Sequence, residues 1–354
     1  MRNIFLISLC FSFLNSCKTA VYKDISSSNI IFKTVRIDTL FQDNISIRAI
    51  TADGNHIWYA ANNSRFGFYD LEKNKKFERK IIKDTLQLEF RSIAQTATNI
   101  FLLSVANPAL LYKVAKHNFK TTLEYEENDE KVFYDSMKFW NKKEGIAMGD
   151  PINDCLSIIT TRDGGKSWTK IPSAKLPKIA DGEAAFAASN TNIVIKGNNT
   201  WIVSGGKKAR VFYSADRGNT WEVYDTPIAQ GKAMAGIFTA DFYDAKRGFI
   251  AGGDYEALNQ NSRNKARTDD GGKTWKLMAE NQGFGYASCV QYIPNSDGKS
   301  LVSIGASGLY YSYDSGNSWK QLATDTSLFT IRFVDNHTAI AAGKNKMIRI
   351  NFLK

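Results

Sequence analysis

Four short stretches of this chain repeat one pattern, and the repetition limits the fold more than any other feature. The pattern is Ser or Thr, any residue, Asp, any, Gly, any, any, Trp. It occurs at residues 161–168 (TRDGGKSW), 214–221 (SADRGNTW), 268–275 (TDDGGKTW) and 312–319 (SYDSGNSW). These residue types build a tight turn. An Asp carboxylate accepts backbone N–H bonds across the turn, and the Ser or Thr hydroxyl adds another. Gly supplies a backbone conformation that a side chain would oppose. Trp168, Trp221, Trp275 and Trp319 then offer large apolar faces and are expected to be mostly buried between sheets. Four-fold repetition marks a structural unit, so Asp163, Asp216, Asp270 and Asp314 read as turn formers rather than catalytic acids.

The spacing sets the unit. Asp163 to Asp216 is 53 residues, Asp216 to Asp270 is 54, and Asp270 to Asp314 is 44. Periods of this size suit four-stranded propeller blades. The same grammar runs upstream with degenerate turns, over residues 46–82 and 90–125. Downstream, residues 329–352 supply only three strands. The alternating stretch at residues 30–40 (IIFKTVRIDTL) can supply the fourth. The expectation is an all-β, seven-bladed β-propeller of four-stranded antiparallel blades, one domain over residues 30–354, with six or eight blades as the alternatives. The N-terminal strand pairs with the C-terminal blade to close it, leaving no large sheet edge open.

The first residues read differently. Arg2 followed by the apolar run at residues 4–13 (IFLISLCFSF) has the form of a signal peptide, too short to span a bilayer as a stable helix. It ends Leu14-Asn15-Ser16-Cys17, which resembles a bacterial lipobox. Residues 1–16 are therefore expected to be a lipoprotein signal peptide, Cys17 the lipidated mature N-terminus, and residues 17–29 a polar tether. That implies a membrane-anchored lipoprotein of the cell envelope, with the choice of membrane open. The formal charge is +11 over 354 residues, but the lysines are scattered. A solvated basic surface accounts for them, and no nucleic-acid partner is expected. Cys155 and Cys289 are expected as single buried residues. The histidines are His56, His117 and His337, dispersed along the chain; no metal site is expected. A monomer is expected.

Each repeated turn resembles the Asp box, or bacterial neuraminidase repeat, of sialidases, sortilin-type receptors and photosystem II assembly-factor-like propellers. Further stretches resemble one bacterial group of assembly-factor-like lipoproteins. These are Leu88-Glu89-Phe90-Arg91-Ser92-Ile93, Phe133-Tyr134-Asp135, Gly149-Asp150-Pro151, residues 182–189 (GEAAFAAS), Gly252-Gly253-Asp254-Tyr255 and Gly285-Tyr286-Ala287-Ser288-Cys289. Members of that group are often labelled oxidoreductase, some glycosyl hydrolase. The residues do not carry the first label. Gly283-Phe284-Gly285-Tyr286-Ala287-Ser288 fails the dinucleotide fingerprint at its last position and lies between strands. No redox cofactor is expected. Sialidase chemistry needs an Arg triad, and Arg36-Ile37-Asp38 offers one Arg without the Pro that follows it in that family.

Strand order locates a candidate site. If the repeated turn joins the third and fourth strands of a blade, it lies on one face of the ring. Links entering the inner strands, and loops after the second strands, then lie on the other. Arg91, Asp135 and Glu183 enter inner strands; Asp150, Asp254 and Tyr255 follow second strands. These six are expected to converge at one mouth of the channel, with Glu183 and Asp254 central and Arg91 holding an anionic group. Two functions remain open. One is a binding or assembly module for a protein or glycan partner. The other is a glycosyl hydrolase or lyase using the carboxylates, whose mutual repulsion raises their pKa values.

Overall fold

The computed structural model describes residues 31–354; the leader, Cys17 and the whole tether lie outside them. Among the described residues the chain is all-β apart from one short 3-10 turn, Ser173–Lys175. Every strand pairing is antiparallel, and the whole is a β-propeller. The strands associate into six sheets, which overturns the expected seven separate four-stranded blades. Four sheets have four strands and two have six.

The physical reason lies in two long strands. Thr34–Asp53 runs unbroken for 20 residues. Its first half pairs with the C-terminal strand Thr338–Leu353, from Thr34 opposite Leu353 to Ser46 opposite Lys344. Its second half pairs with His56–Ala61, from Ile47 opposite Ala61 to Asp53 opposite His56. Thr338–Leu353 also pairs with Leu328–Phe333. The first and last strands of the described chain are thereby fused into one sheet. The sequence suggests a break after Leu40, but register shifts near Thr39 and Gln42 bend the strand without ending it. Phe32 seals this seam. It is buried and its ring meets Tyr311 at 5.5 Å and Phe352 at 5.4 Å.

The second six-stranded sheet arises from a strap. Glu183–Ala184 pairs with Gly205–Gly206, and Gly205 bridges to Gly236 of the strand Ala235–Phe242. A Cβ on Gly236 would lie 2.3 Å from the Gly205 Cα, so only glycine permits the approach. Glu183 therefore sits on the strap, while the inner strand of its neighbourhood is Ile193–Lys196.

The inner strands Thr34–Asp53, Phe90–Gln95, Tyr134–Phe139, Ile193–Lys196, Ala235–Phe242, Ala287–Tyr292 and Leu328–Phe333 each touch the next, and the last returns to the first. Their common direction gives the ring two distinct mouths, one at the strand starts and one at the strand ends. The core lies between neighbouring sheets as discrete apolar clusters.

The four repeated turns share one hydrogen-bond network. In the third copy the Thr268 hydroxyl donates to Asp270 Oδ1 at 2.7 Å and accepts the Gly272 N–H at 2.9 Å. Asp270 Oδ1 accepts the N–H groups of Lys273 and Thr274, and Oδ2 accepts the Thr274 hydroxyl at 2.6 Å. Asp163 likewise accepts from the Thr161 and Ser167 hydroxyls, Asp216 from Ser214 and Thr220, and Asp314 from Ser312 and Ser318. Burial acts to raise the Asp270 carboxyl, but the Thr274 and Thr268 bonds outweigh it and hold it down to about 2.

The motif glycine is where the next-door sheet docks. A Cβ on Gly165 would lie 2.2 Å from the Phe101 ring, and one on Gly316 would lie 2.3 Å from Phe249. Gly272 receives Trp201, whose indole N–H donates to the Gly271 carbonyl at 2.7 Å while its ring stacks on Phe242 at 3.8 Å. Among the motif tryptophans, Trp168 is buried, and Trp221, Trp275 and Trp319 are mostly buried against neighbouring apolar clusters. Their indole N–H groups turn back to the carbonyls of Gly218, Gly272 and Gly316 in their own turns, which holds them at the rim. The wholly buried indoles are Trp58 and Trp201, outside the motif.

Two outcomes follow. Phe32→Ala should cost about 3–5 kcal/mol of unfolding free energy, measured by chemical denaturation, because it opens the sealed seam. Asp270→Asn should lower Tm at pH 7. A carboxyl whose pKa is depressed on folding stabilises above its unfolded value and stops doing so as pH falls, so the Tm gap should close between pH 4 and about 2.

Candidate functional site

At the mouth where the inner strands start, a cavity of about 410 Å³ opens. Its walls come from several sheets. Arg48 belongs to Thr34–Asp53 and Arg91 to Phe90–Gln95, while Asp150 follows Gly145–Gly149. Residues 184–188 form the strap side. Phe238 lies on Ala235–Phe242, Tyr255 follows Gly248–Asp254, and Tyr286 precedes Ala287–Tyr292.

One side is aromatic. Phe186 stacks face to face on Phe238 at 3.9 Å, Tyr286 meets Phe238 edge-on at 4.8 Å, and Tyr255 meets Tyr286 edge-on at 5.1 Å. Met234 and the alanines of the strap continue that apolar wall. The other side is charged. The Arg48 guanidinium lies 4.0 Å over the Phe329 ring and donates to the Ala188 carbonyl at 3.3 Å, while its buried Nε has no partner. Arg91 is oriented by Glu89.

Asp150 is fixed at both ends. Its N–H donates to the Phe133 carbonyl at 2.8 Å, and its Oδ1 accepts the Ala185 N–H at 2.7 Å. Gly149 allows this close crossing, since a Cβ there would lie 2.1 Å from the Phe133 oxygen. Burial pushes the Asp150 carboxyl up to about 6, against the opposing Ala185 N–H. Asp135 lies beside it with no exposure, and neither carboxyl oxygen has a hydrogen-bond partner. Burial first, then the Asp150 charge, raises Asp135 well above the usual carboxylate range, and Arg91 acts the other way.

Of the six residues singled out from sequence, Arg91, Asp150 and Tyr255 line this cavity, with Asp135 buried next to Asp150 and Arg91. Glu183 and Asp254 do not line it. Glu183 accepts bonds from Arg210, the Ser204 hydroxyl and the Ala180 N–H. Asp254 takes the Lys232 ammonium at 2.7 Å and the Glu256 N–H at 2.9 Å, and Lys232 leads in holding its carboxyl below the ordinary value. Both carboxylates hold the strap and the following loop in place, so the aromatic wall rather than this pair occupies the centre.

Sequence reasoning missed Arg48, Phe238 and Met234. Arg48 has a readable signal, a lone cation in the apolar run Ile45-Ser46-Ile47-Arg48-Ala49-Ile50. Phe186 and Tyr286 stood inside stretches noted for other reasons. Phe238 looks like any inner-strand aromatic.

Comparison with known proteins bears on the fold. No family model matches the chain, and no curated protein does. Solved structures do. A YCF48 bound to D1 peptide superposes with a TM-score of 0.66 at 14% identity, covering 92% of this chain and 97% of that one. YCF48 from Cyanidioschyzon merolae gives 0.64 at 11%, covering 91% and 99%. The GH74 xyloglucanase from Xanthomonas campestris gives 0.68 at 10%, covering 90% of this chain. This chain spans only 54% of that xyloglucanase. These likenesses are to β-propellers and establish the architecture.

The Asp150 carboxyl gives a testable pH signature. A carboxyl raised on folding stabilises below its unfolded pKa and loses that contribution as pH climbs through the folded value. Asp150→Asn should therefore melt above the unaltered protein at pH 8, with the two converging below pH 4, read by thermal unfolding across pH.

Proposed function

We propose that this chain is a binding module that takes an extended segment of a protein partner in the cavity at the strand starts, opposite the four repeated turns. The observation that carries this reading is the cavity's composition. Aromatic side chains from separate elements form one wall, two arginines stand across from it, and Asp150 is the single carboxylate among its lining residues. Such a site suits an apolar side chain flanked by an acidic or carbonyl-rich backbone, with Arg48 and Arg91 as donors. The solved YCF48 with bound D1 peptide supports a peptide ligand by likeness of fold.

A glycosyl hydrolase is the second reading. Asp150, raised to about 6, has the character of a general acid, and the xyloglucanase is a structural neighbour. Glycoside hydrolysis needs a second carboxylate across the sugar, about 5–9.5 Å from the first. Asp135 is fully buried, so it does not present one to a bound sugar. The binding reading is favoured for that reason.

The turns fit the Asp-box repeat in this reading, with Asp163, Asp216, Asp270 and Asp314 structural. We propose further that residues 1–16 are a lipoprotein signal and that Cys17 carries lipid. Residues 17–29 then tether the propeller, as a monomer, to a membrane of the cell envelope. Cys17→Ser should move the protein from the membrane fraction to the soluble fraction, or leave it unprocessed; unchanged membrane partitioning would contradict the anchor.

A panel of extended peptides and a panel of glycans, each titrated by fluorescence anisotropy, tests the central reading. Peptide binding should weaken roughly tenfold or more in Phe238→Ala and Arg91→Ala, the size of a hot-spot loss. Glycan binding, or turnover of a polysaccharide abolished in Asp150→Asn, would replace it with the hydrolase reading.

A further inference from the structure

The mouth at the strand ends, on the side of the repeated turns, holds a second cavity of about 370 Å³. Three cations reach it from three inner strands: Lys138 from Tyr134–Phe139, Lys196 from Ile193–Lys196 and Arg332 from Leu328–Phe333. Gln291 of Ala287–Tyr292 and Asp241 of Ala235–Phe242 complete the polar lining.

The bonds of these groups leave donors in excess. Asp241 accepts the backbone N–H of Phe242 at 2.9 Å and of Tyr292 at 2.8 Å. Arg332 donates to the carbonyls of Ile331 and Ser189 at 2.7 and 3.2 Å, and to Cys289 Sγ at 3.5 Å. The Lys138 and Lys196 ammonium groups and the Gln291 amide make no hydrogen bond or salt bridge with protein among the described residues. Three cations thus share a partly open cavity with one carboxylate. Like charges drawn together and part-desolvated favour the entry of an anion.

We propose that this turn-side cavity binds a small inorganic oxyanion, held by Lys138, Lys196 and the Gln291 amide. The ammonium groups and the amide are donors, and an oxyanion offers only acceptors. A compact lysine charge with three rotatable donors suits a tetrahedral ion. Burial, followed by Arg332, holds the Lys138 ammonium down to about 7, with Cys289 and Asp241 acting the other way. An anion in the cavity offsets the Arg332 repulsion and favours the charged form of Lys138. Binding above neutral pH therefore takes up a proton on Lys138, and affinity falls as pH rises.

The test is calorimetric titration with inorganic sulfate, which stays a dianion across the range, in two buffers of different ionisation enthalpy. One site is expected, with buffer-dependent heat that reports proton uptake and affinity that falls between pH 6.5 and 8.5. Lys138→Met should weaken binding roughly tenfold or more and remove the proton uptake. Gln291→Leu should weaken binding and keep the uptake. Lys166→Met, an exposed lysine on a neighbouring turn, should change neither. Absence of sulfate binding, or equal binding by Lys138→Met and the unaltered protein, would overturn the proposal.

Discussion

The structure depends on the way one sheet's ring seats against the glycine of the next sheet's turn. Phe101 on Asn99–Ser104, Trp201 on Asn199–Val203 and Phe249 on Gly248–Asp254 close on Gly165, Gly272 and Gly316. The carboxylate of the same turn fixes the backbone that receives the ring. It bonds two following N–H groups in the first three copies, one in the last, and two hydroxyls in all four. A neighbouring sheet is thereby joined through a pocket that accepts a flat ring and no side chain of its own. Burying a large aromatic supplies the energy, and the turn supplies the geometry. Where the repeat fails, near the chain ends, the fused six-stranded sheet and the Phe32 cluster take over this role.

That division of labour decides where a protein partner can dock. The turn side is committed to holding sheets together, and its carboxylates are spent on their own backbones. The strand-start side carries the variable links, and there the chain gathers Arg48, Arg91, Asp150 and the aromatic wall. Glu183 and Asp254 contribute by fixing the strap and the following loop that deliver Phe186 and Tyr255. A channel through such a ring has chemically different ends. One is aromatic with two arginines and a single carboxyl, and the other gathers three cations around one carboxyl.

Much of the propeller was legible because the repeat is local. Each turn declares itself in eight residues, and the spacing between turns declares the sheet. The sheet count was not legible, because it rests on whether residues 41–45 break a strand. Two register shifts there bend the chain and keep its pairing, which residue types do not reveal. At the site, strand order was enough to bring Arg91, Asp135, Asp150 and Tyr255 to one mouth. It was not enough to rank them. Glu183 and Asp254 meet Arg210 and Lys232 through loops whose course depends on the close contact of Gly205 with Gly236. Phe238 and Met234 carried no polar signal to distinguish them from core.

The central claim is that a partner engages the strand-start mouth while the turns remain structural. Hydrogen–deuterium exchange with a bound peptide ligand tests it most directly. The account predicts new protection in residues 184–188, 234–238, 254–258 and 284–287, with the four turns at 161–168, 214–221, 268–275 and 312–319 unchanged. Protection concentrated in those turns, with the cavity segments unaltered, would contradict it.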